Sequence, residues 1–259
     1  MNANTAYVNE YSNVIPFSVI KNDNTNNKFR KDGFKKNTRN YKQSGVSSEV
    51  YAFKTKEEIE KMINVFNKHI EESHTECQRK IAYRNKLLFI VGINVGLRAS
   101  DLRTLKWSFF IDFNTGEVKE YYLFQPIKQR KSNKFVKVYF NNTVKKAINN
   151  YISEYPVEKD GYVFFSRKRD DAISIQMLWK IIKDTAYEAG IKQNIGSHSL
   201  RKSFGYWTWH NADDKNKALV ILQQIFNHSS TQVTAKYIGI LDTEIKDMFD
   251  SIELGFESL

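Results

Sequence analysis

At 259 residues, 41% hydrophobic and 14% aromatic, the chain has room for one ordinary domain plus an arm and enough apolar mass for a core, which excludes wholesale disorder. A single cysteine, Cys77, excludes internal disulfides and zinc-ribbon scaffolds, and no apolar run approaches the roughly 18 residues of a membrane helix. The net charge of +11 is uneven: after Tyr237 six acids (Asp242, Glu244, Asp247, Asp250, Glu253, Glu257) face one base, Lys246, a net of −5, so residues 1–237 carry +16 and point to a polyanionic partner. The start, Met1-Asn2-Ala3-Asn4, has no apolar segment behind a basic one, so no secretory signal is expected, and one cysteine suits a reducing cytoplasm.

Residues 1–50 hold ten asparagines with Lys28, Arg30, Lys31, Lys35, Lys36, Arg39 and Lys42, and no hydrophobic period. They read as a flexible basic arm, either a solubilising tail or a strand that wraps DNA through groups such as Arg30, Lys35 and Lys36. From residue 51 the pattern turns helical. Thr55 and Glu58 make a capping box, and Ile59, Met62, Ile63 and Phe66 follow at helical spacing. A second helix is expected over about 78–97, and Ser100-Asp101 can cap a short helix carrying Leu102 and Leu105. Residues 107–140 read as strand-like: a turn at Asn114-Thr115-Gly116, β-prone runs at Tyr121–Phe124 and Phe135–Tyr139, and a hairpin tip over 128–134. Helices are expected over about 142–154, 174–189, 198–210, 216–226, 231–238 and 243–253. The predicted fold is mainly α with a small antiparallel β-sheet (α+β). Its domain covers 51–259, with 240–259 an acidic amphipathic helix or tail.

Three clusters can carry chemistry. In His198-Ser199-Leu200-Arg201-Lys202, helical spacing puts His198 and Arg201 on one face, where a donor fork and a proton carrier suit a phosphate, although a surface helix explains the pair equally well. Arg98 directly follows an apolar helix that ends near Gly96, at the rim of the core, where a cation also suits a helix C-terminus. Asn227-His228-Ser229-Ser230 is followed by Tyr237, one of 14 tyrosines, whose phenol can attack phosphorus if cations stabilise the transition state.

Taken in order, these clusters resemble the tyrosine recombinase (phage integrase) family over about residues 51–250. That family's T-G-L-R-x-S-E-L segment and following L-x-W appear as Val95–Leu102, with Asp101 for the usual Glu, and Leu105-Lys106-Trp107. Its H-x-L-R reads His198–Arg201, its G-H-x-S reads Asn227–Ser230 with Asn227 for Gly, and its nucleophile matches Tyr237. Its hairpin lysine best fits Lys131 in Lys131-Ser132-Asn133-Lys134, with Lys128 and Lys134 as rivals.

The resemblance implies a site-specific recombinase or integrase that acts on double-stranded DNA without metal or cofactor. Tyr237 would form a 3′-phosphotyrosine, Arg98 and Arg201 would neutralise the phosphorane, and Lys131 would protonate the leaving 5′-oxygen. His198 would accept the tyrosine proton and His228 would bond the phosphate. Lys128, Lys134, Lys202, Arg30, Lys35 and Lys36 would touch the DNA backbone. It further implies a homo-tetramer on paired sites, a monomer or weak oligomer when free, no membrane, and a cytoplasmic setting in a prokaryote, phage or mobile element. The rival functions are a non-catalytic DNA-binding regulator and a type IB topoisomerase. Two departures stand out. The Arg201-to-His228 separation of 27 residues is long, with Asn211–Lys217 expected as extra inter-helix loop. The family's N-terminal helical clamp has no counterpart pattern in residues 1–50, so it is expected to be missing, supplied by another chain or replaced by the arm.

Overall fold

The computed structural model describes residues 49–127, 135–167 and 171–252. The basic arm with Arg30, Lys35 and Lys36, and the hairpin tip with Lys128, Lys131 and Lys134, lie outside the described residues.

Two capping boxes open the fold. Thr55 Oγ1 accepts from the Glu58 amide at 3.1 Å while Glu58 returns a carboxylate oxygen to the Thr55 amide at 3.2 Å, starting α1 (Lys56–Glu71). Thr75 and Gln78 repeat the exchange at α2 (Glu76–Val95). The short connection folds the two helices together, with Phe66 and Phe89 ring centroids 5.6 Å apart. Helix α2 is the hub. It packs on α1, α5 (Asn142–Glu154) and α7 (Ser197–His210), which is why Leu87, Leu88, Phe89, Val91 and Val95 are buried on more than one face.

Helix α2 stops at Gly96, whose φ of 65° is left-handed and whose Cβ, if it had one, would sit 2.3 Å from the Phe204 ring. Both facts demand glycine there. A short helix α3 (Ala99–Leu102) follows at once. The expectation that Ser100-Asp101 would cap it is corrected. Arg98 holds the cap position, and Asp101 lies inside the helix, 1% exposed, with its carboxylate turned to the Ile127 amide at 3.0 Å.

The stretch expected to be strand-like begins instead with a helical turn, α4 (Trp107–Phe110), which buries three aromatics in four residues. Beyond the Asn114–Gly116 turn, β1 (Tyr121–Phe124) and β2 (Val136–Tyr139) pair antiparallel in the register Tyr121 to Tyr139 and Phe124 to Val136. One face lays Tyr122 and Phe124 on Phe109, at 4.6 and 5.6 Å between centroids. The other leaves Tyr121, Leu123 and Tyr139 exposed, with the Lys137 ammonium 3.8 Å from the Tyr121 ring centroid.

The remaining helices are α5, α6 (Ile175–Glu188), α7, α8 (Lys215–Phe226), α9 (Thr231–Ile238) and α10 (Ile240–Asp250). Their boundaries match the periodicity closely except at α10, which starts three residues early because Gly239, at φ 74°, is its only separation from α9. The polar Asn211–Lys217 stretch is only partly loop. Asp214 caps α8 through the Lys217 amide at 2.9 Å and draws the last three residues into the helix.

The main core joins Phe53, Phe66, Phe89, Phe110, Ile148, Phe164, Ile182 and Leu200. A second, smaller cluster of Ala52, Tyr206, Leu222, Phe226, Ala235, Ile238 and Ile240 forms the floor under α9. The site therefore stands on α2, α7 and the α8–α9 turn.

Candidate active site

Helix α8 ends at Phe226 because Asn227 takes the left-handed conformation at φ 55°, which asparagine tolerates and which fits a position where glycine is commoner. The Phe226 carbonyl is thereby left for other donors. Arg98 Nη2 donates to it at 3.2 Å and Arg201 Nη2 at 3.3 Å. One backbone oxygen, far from both arginines in sequence, clamps the two guanidinium groups together.

Arg201 is 5% exposed and also bonds the Gly96 carbonyl, with its guanidinium 4.2 Å from the Phe226 ring centroid. Burial pushes its pKa down to about 10, so it remains a cation at neutral pH. Nearby Tyr237 and Asp101 oppose that shift. Arg98, in the turn after α2, is half-buried. Asp101 is thus the buried counter-charge behind the pair, and its bond to Ile127 also anchors the chain that enters the hairpin tip. The sequence shows Asp101 as a motif substitution but gives no sign of this double role.

Tyr237 lies on the last turn of α9 with its ring edge-on to Phe226 and His228, at centroid separations of 5.5 and 5.1 Å. Burial raises the phenol pKa, while the Arg201 and Arg98 charges and a bond to Arg201 pull the other way. The phenol therefore stays protonated at neutral pH and needs a proton acceptor before it can attack.

His228 Nδ1 is 3.1 Å from Thr234 Oγ1, and that hydroxyl also reaches the Ser230 carbonyl at 3.1 Å. With the hydroxyl hydrogen given to Ser230, Nδ1 is the protonated nitrogen of a neutral ring. Burial, then the repulsion of Arg201 and Arg98, lowers the His228 pKa from its ordinary 6.5. In the free chain the His228 ring proton signals should therefore titrate below pH 6.5 by NMR, and adding a phosphate anion at the arginines should move the midpoint up. A midpoint at or above the ordinary value in the free chain contradicts this electrostatic account.

His198 is in the first turn of α7, exposed, one helical turn before Arg201. Lys202 departs from expectation. It is 6% exposed and its ammonium pairs with Glu49 at 2.6 Å, so it is not offered to solvent as a DNA-backbone contact. Its Nζ lies 5.4 Å from the Tyr237 ring centroid. A cleft of about 150 Å³, several times the ~30 Å³ of a water molecule, is lined by Arg98, Asp101 and Arg201 on one side and Lys137 and Tyr139 of β2 on the other. Among the described residues, no group of three or more His, Cys, Asp or Glu side chains is placed to hold a metal ion, and no helix is long and apolar enough to cross a membrane.

So Arg98, Arg201, His228 and Tyr237, spread over 139 positions of the chain, are brought together, with His198 one turn away and the candidate lysines outside the described residues. The Phe226 carbonyl, Thr234 and the role of Asp101 are the parts that motif reading missed. A backbone acceptor leaves no mark in sequence, and Thr234 is marked only by lying three residues before Tyr237.

Comparison with known proteins bears on the family and the fold. The family model described as "Phage integrase family" matches residues 53–244. The chain is 31% identical over 172 residues to the probable integrase/recombinase YoeC of Bacillus subtilis, covering 65% of this chain and 86% of that protein. It is 28% identical over 183 residues to the tyrosine recombinase XerD of Oceanobacillus iheyensis, covering 66% of this chain but only 55% of that one. The fold is similar to the XerH site-specific recombinase solved with its palindromic difH substrate after cleavage, with a TM-score of 0.52 at 23% identity over 74% of this chain and 50% of that one.

Proposed function

The chain belongs to the phage integrase family, and on that premise we propose that it is a site-specific recombinase that cleaves and rejoins double-stranded DNA through Tyr237. One observation carries the reading: the Phe226 carbonyl holds Arg98 and Arg201 side by side next to the Tyr237 phenol. Two fixed cations beside a nucleophile suit a phosphodiester, whose non-bridging oxygens gain charge in the transition state. Relatives named tyrosine recombinase, and a similar fold solved on DNA, support it.

In the proposed reaction the Tyr237 oxygen bonds to phosphorus, the bond from phosphorus to the 5′-oxygen breaks, and the products are a 3′-phosphotyrosine and a free 5′-hydroxyl. His198 takes the phenol proton, and a hairpin lysine, Lys131 by motif, returns one to the leaving oxygen. His228, charged once a phosphate sits at the arginines, donates to a non-bridging oxygen. The 5′-hydroxyl of a second strand then attacks phosphorus and releases Tyr237, so exchange is reversible. The test is a plasmid carrying two copies of a cognate site. Exchange between sites is the expected result, and relaxation of a one-site plasmid without exchange would favour a topoisomerase.

We also infer that the active assembly is a homo-tetramer on paired sites. Helix α10 and the residues just beyond it support this: Ile245, Met248 and Phe249 of the helix and Ile252 after it are 52–71% exposed. Removing residues 240–259 should weaken pairing of two DNA sites at least ~10-fold more than it weakens binding of one. A truncated chain that pairs sites as the full chain does would defeat the inference.

A further inference from the structure

Residues 49–54 run along α7 as a strap. The Asn194 side chain donates to the Glu49 carbonyl at 2.9 Å, and the Tyr51 amide donates to the Asn194 carbonyl at 2.9 Å. The Phe53 amide donates to Ser203 Oγ at 2.7 Å, and the Trp207 indole donates to the Phe53 carbonyl at 2.8 Å. Ala52 and Phe53 are buried, one in each hydrophobic cluster. None of this pattern is visible in the sequence, which places residues 49 and 50 in the arm.

Two side chains of the strap reach further, toward the helix that carries Tyr237. Lys54 Nζ donates at 2.7 Å to the carbonyl of Gly239, the residue that ends α9. It crosses the Tyr206 ring on the way, 5.3 Å from the centroid. Glu49 Oε1 meets Lys202 Nζ at 2.6 Å, and that ammonium faces the Tyr237 ring at 5.4 Å. The ammonium is buried, so Glu49 supplies the anion it needs to stay there, and Lys202 in turn holds the Glu49 carboxyl below its ordinary pKa. The strap thus touches α9 at its C-terminal end directly and its tyrosine through Lys202.

We propose that residues 49–54 position the nucleophile: Lys54, through the Gly239 carbonyl, fixes the end of α9, and Glu49, through Lys202, fixes the face of the Tyr237 ring. This rests on Tyr237 being the nucleophile. Lys54, Glu49 and Lys202 are positioning residues, since all three act through α9 or its tyrosine. A helix of only eight residues, closed at both ends by turns, gains much of its fixed orientation from such outside contacts.

The experiment uses the full chain with Lys54→Met, Glu49→Gln and the conservative Lys54→Arg. Its probe is a nicked duplex recovered from a randomised pool by covalent capture on the wild-type chain. Amide exchange of residues 231–238 is measured alongside, without DNA. The expected result is roughly tenfold faster exchange in α9, but not in α1 or α2, for Lys54→Met and Glu49→Gln. Adduct formation should slow about tenfold with duplex affinity held within about twofold, and Lys54→Arg, which still offers a donor to the carbonyl, should recover most of the rate. Unchanged α9 exchange, or a rate loss that follows lost DNA affinity or faster exchange throughout the domain, overturns the proposal. A wild-type chain that captures no duplex defeats the nucleophile reading instead, and the exchange comparison alone then decides whether the strap holds α9.

Discussion

Replacing Tyr237 with phenylalanine should abolish covalent capture of DNA while leaving DNA affinity within about twofold of the wild type. The substitution keeps the ring that packs edge-on against Phe226 and His228 and removes only the hydroxyl. With no oxygen at that position there is no bond to phosphorus, and the rate of adduct formation should fall at least ~10³-fold, on the order of 4 kcal/mol in the barrier. Single-turnover capture on a nicked duplex, read by gel mobility under denaturing conditions, measures it. Residual capture within about tenfold of wild type would mean that another side chain attacks.

Arg201→Lys should cost nearly as much, and for two separable reasons. A lysine keeps the charge but has no planar fork, so it cannot hold the Gly96 and Phe226 carbonyls and still face a phosphate. Loss of a fixed donor to the developing charge should slow cleavage by about 10²–10³-fold. The Gly96 carbonyl, left without its buried donor, should also lower stability by about 1–3 kcal/mol, seen as a smaller urea midpoint. Arg98→Lys should slow cleavage similarly but disturb stability less, because Arg98 is half-buried and shares the Phe226 carbonyl. An Arg201→Lys chain that cleaves at half the wild-type rate would remove the paired-cation argument.

The helices were largely legible because each carries its own signals. Thr55 and Glu58 announce α1, and the apolar period sets the length of α5 through α9. Boundaries failed where a tertiary contact overrode the local signal. Asp101 looks like a cap in sequence, yet its carboxylate is drawn inward to the Ile127 amide. Trp107–Phe110 is β-prone in composition but forms a helical turn, since burying Trp107, Phe109 and Phe110 together outweighs propensity. The site residues were legible as spaced motifs, and the geometry adds what spacing cannot carry. The Phe226 carbonyl is a backbone atom, and Asn227 reads as a motif departure until its left-handed φ is seen. Lys202 reads as one more surface cation next to Arg201, and only its pairing with Glu49, 153 positions away, shows that it faces inward.

The uneven charge takes on a position in the fold. Of the acidic residues after Tyr237, Asp242, Glu244, Asp247 and Asp250 belong to α10, which buries Ile240 but exposes Ile245, Met248 and Phe249. The cationic centre of the site is the arginine pair, held by uncharged backbone oxygens with one buried carboxylate behind it. This leaves its positive charge to be met by a phosphate.

The most direct test of the account is to digest the covalent protein–DNA adduct and identify the modified peptide by mass spectrometry. The expected product is a nucleotide joined through its 3′-phosphate to Tyr237, with a free 5′-hydroxyl on the departing strand. Attachment to any other residue, or a 5′-phosphate linkage, would contradict it.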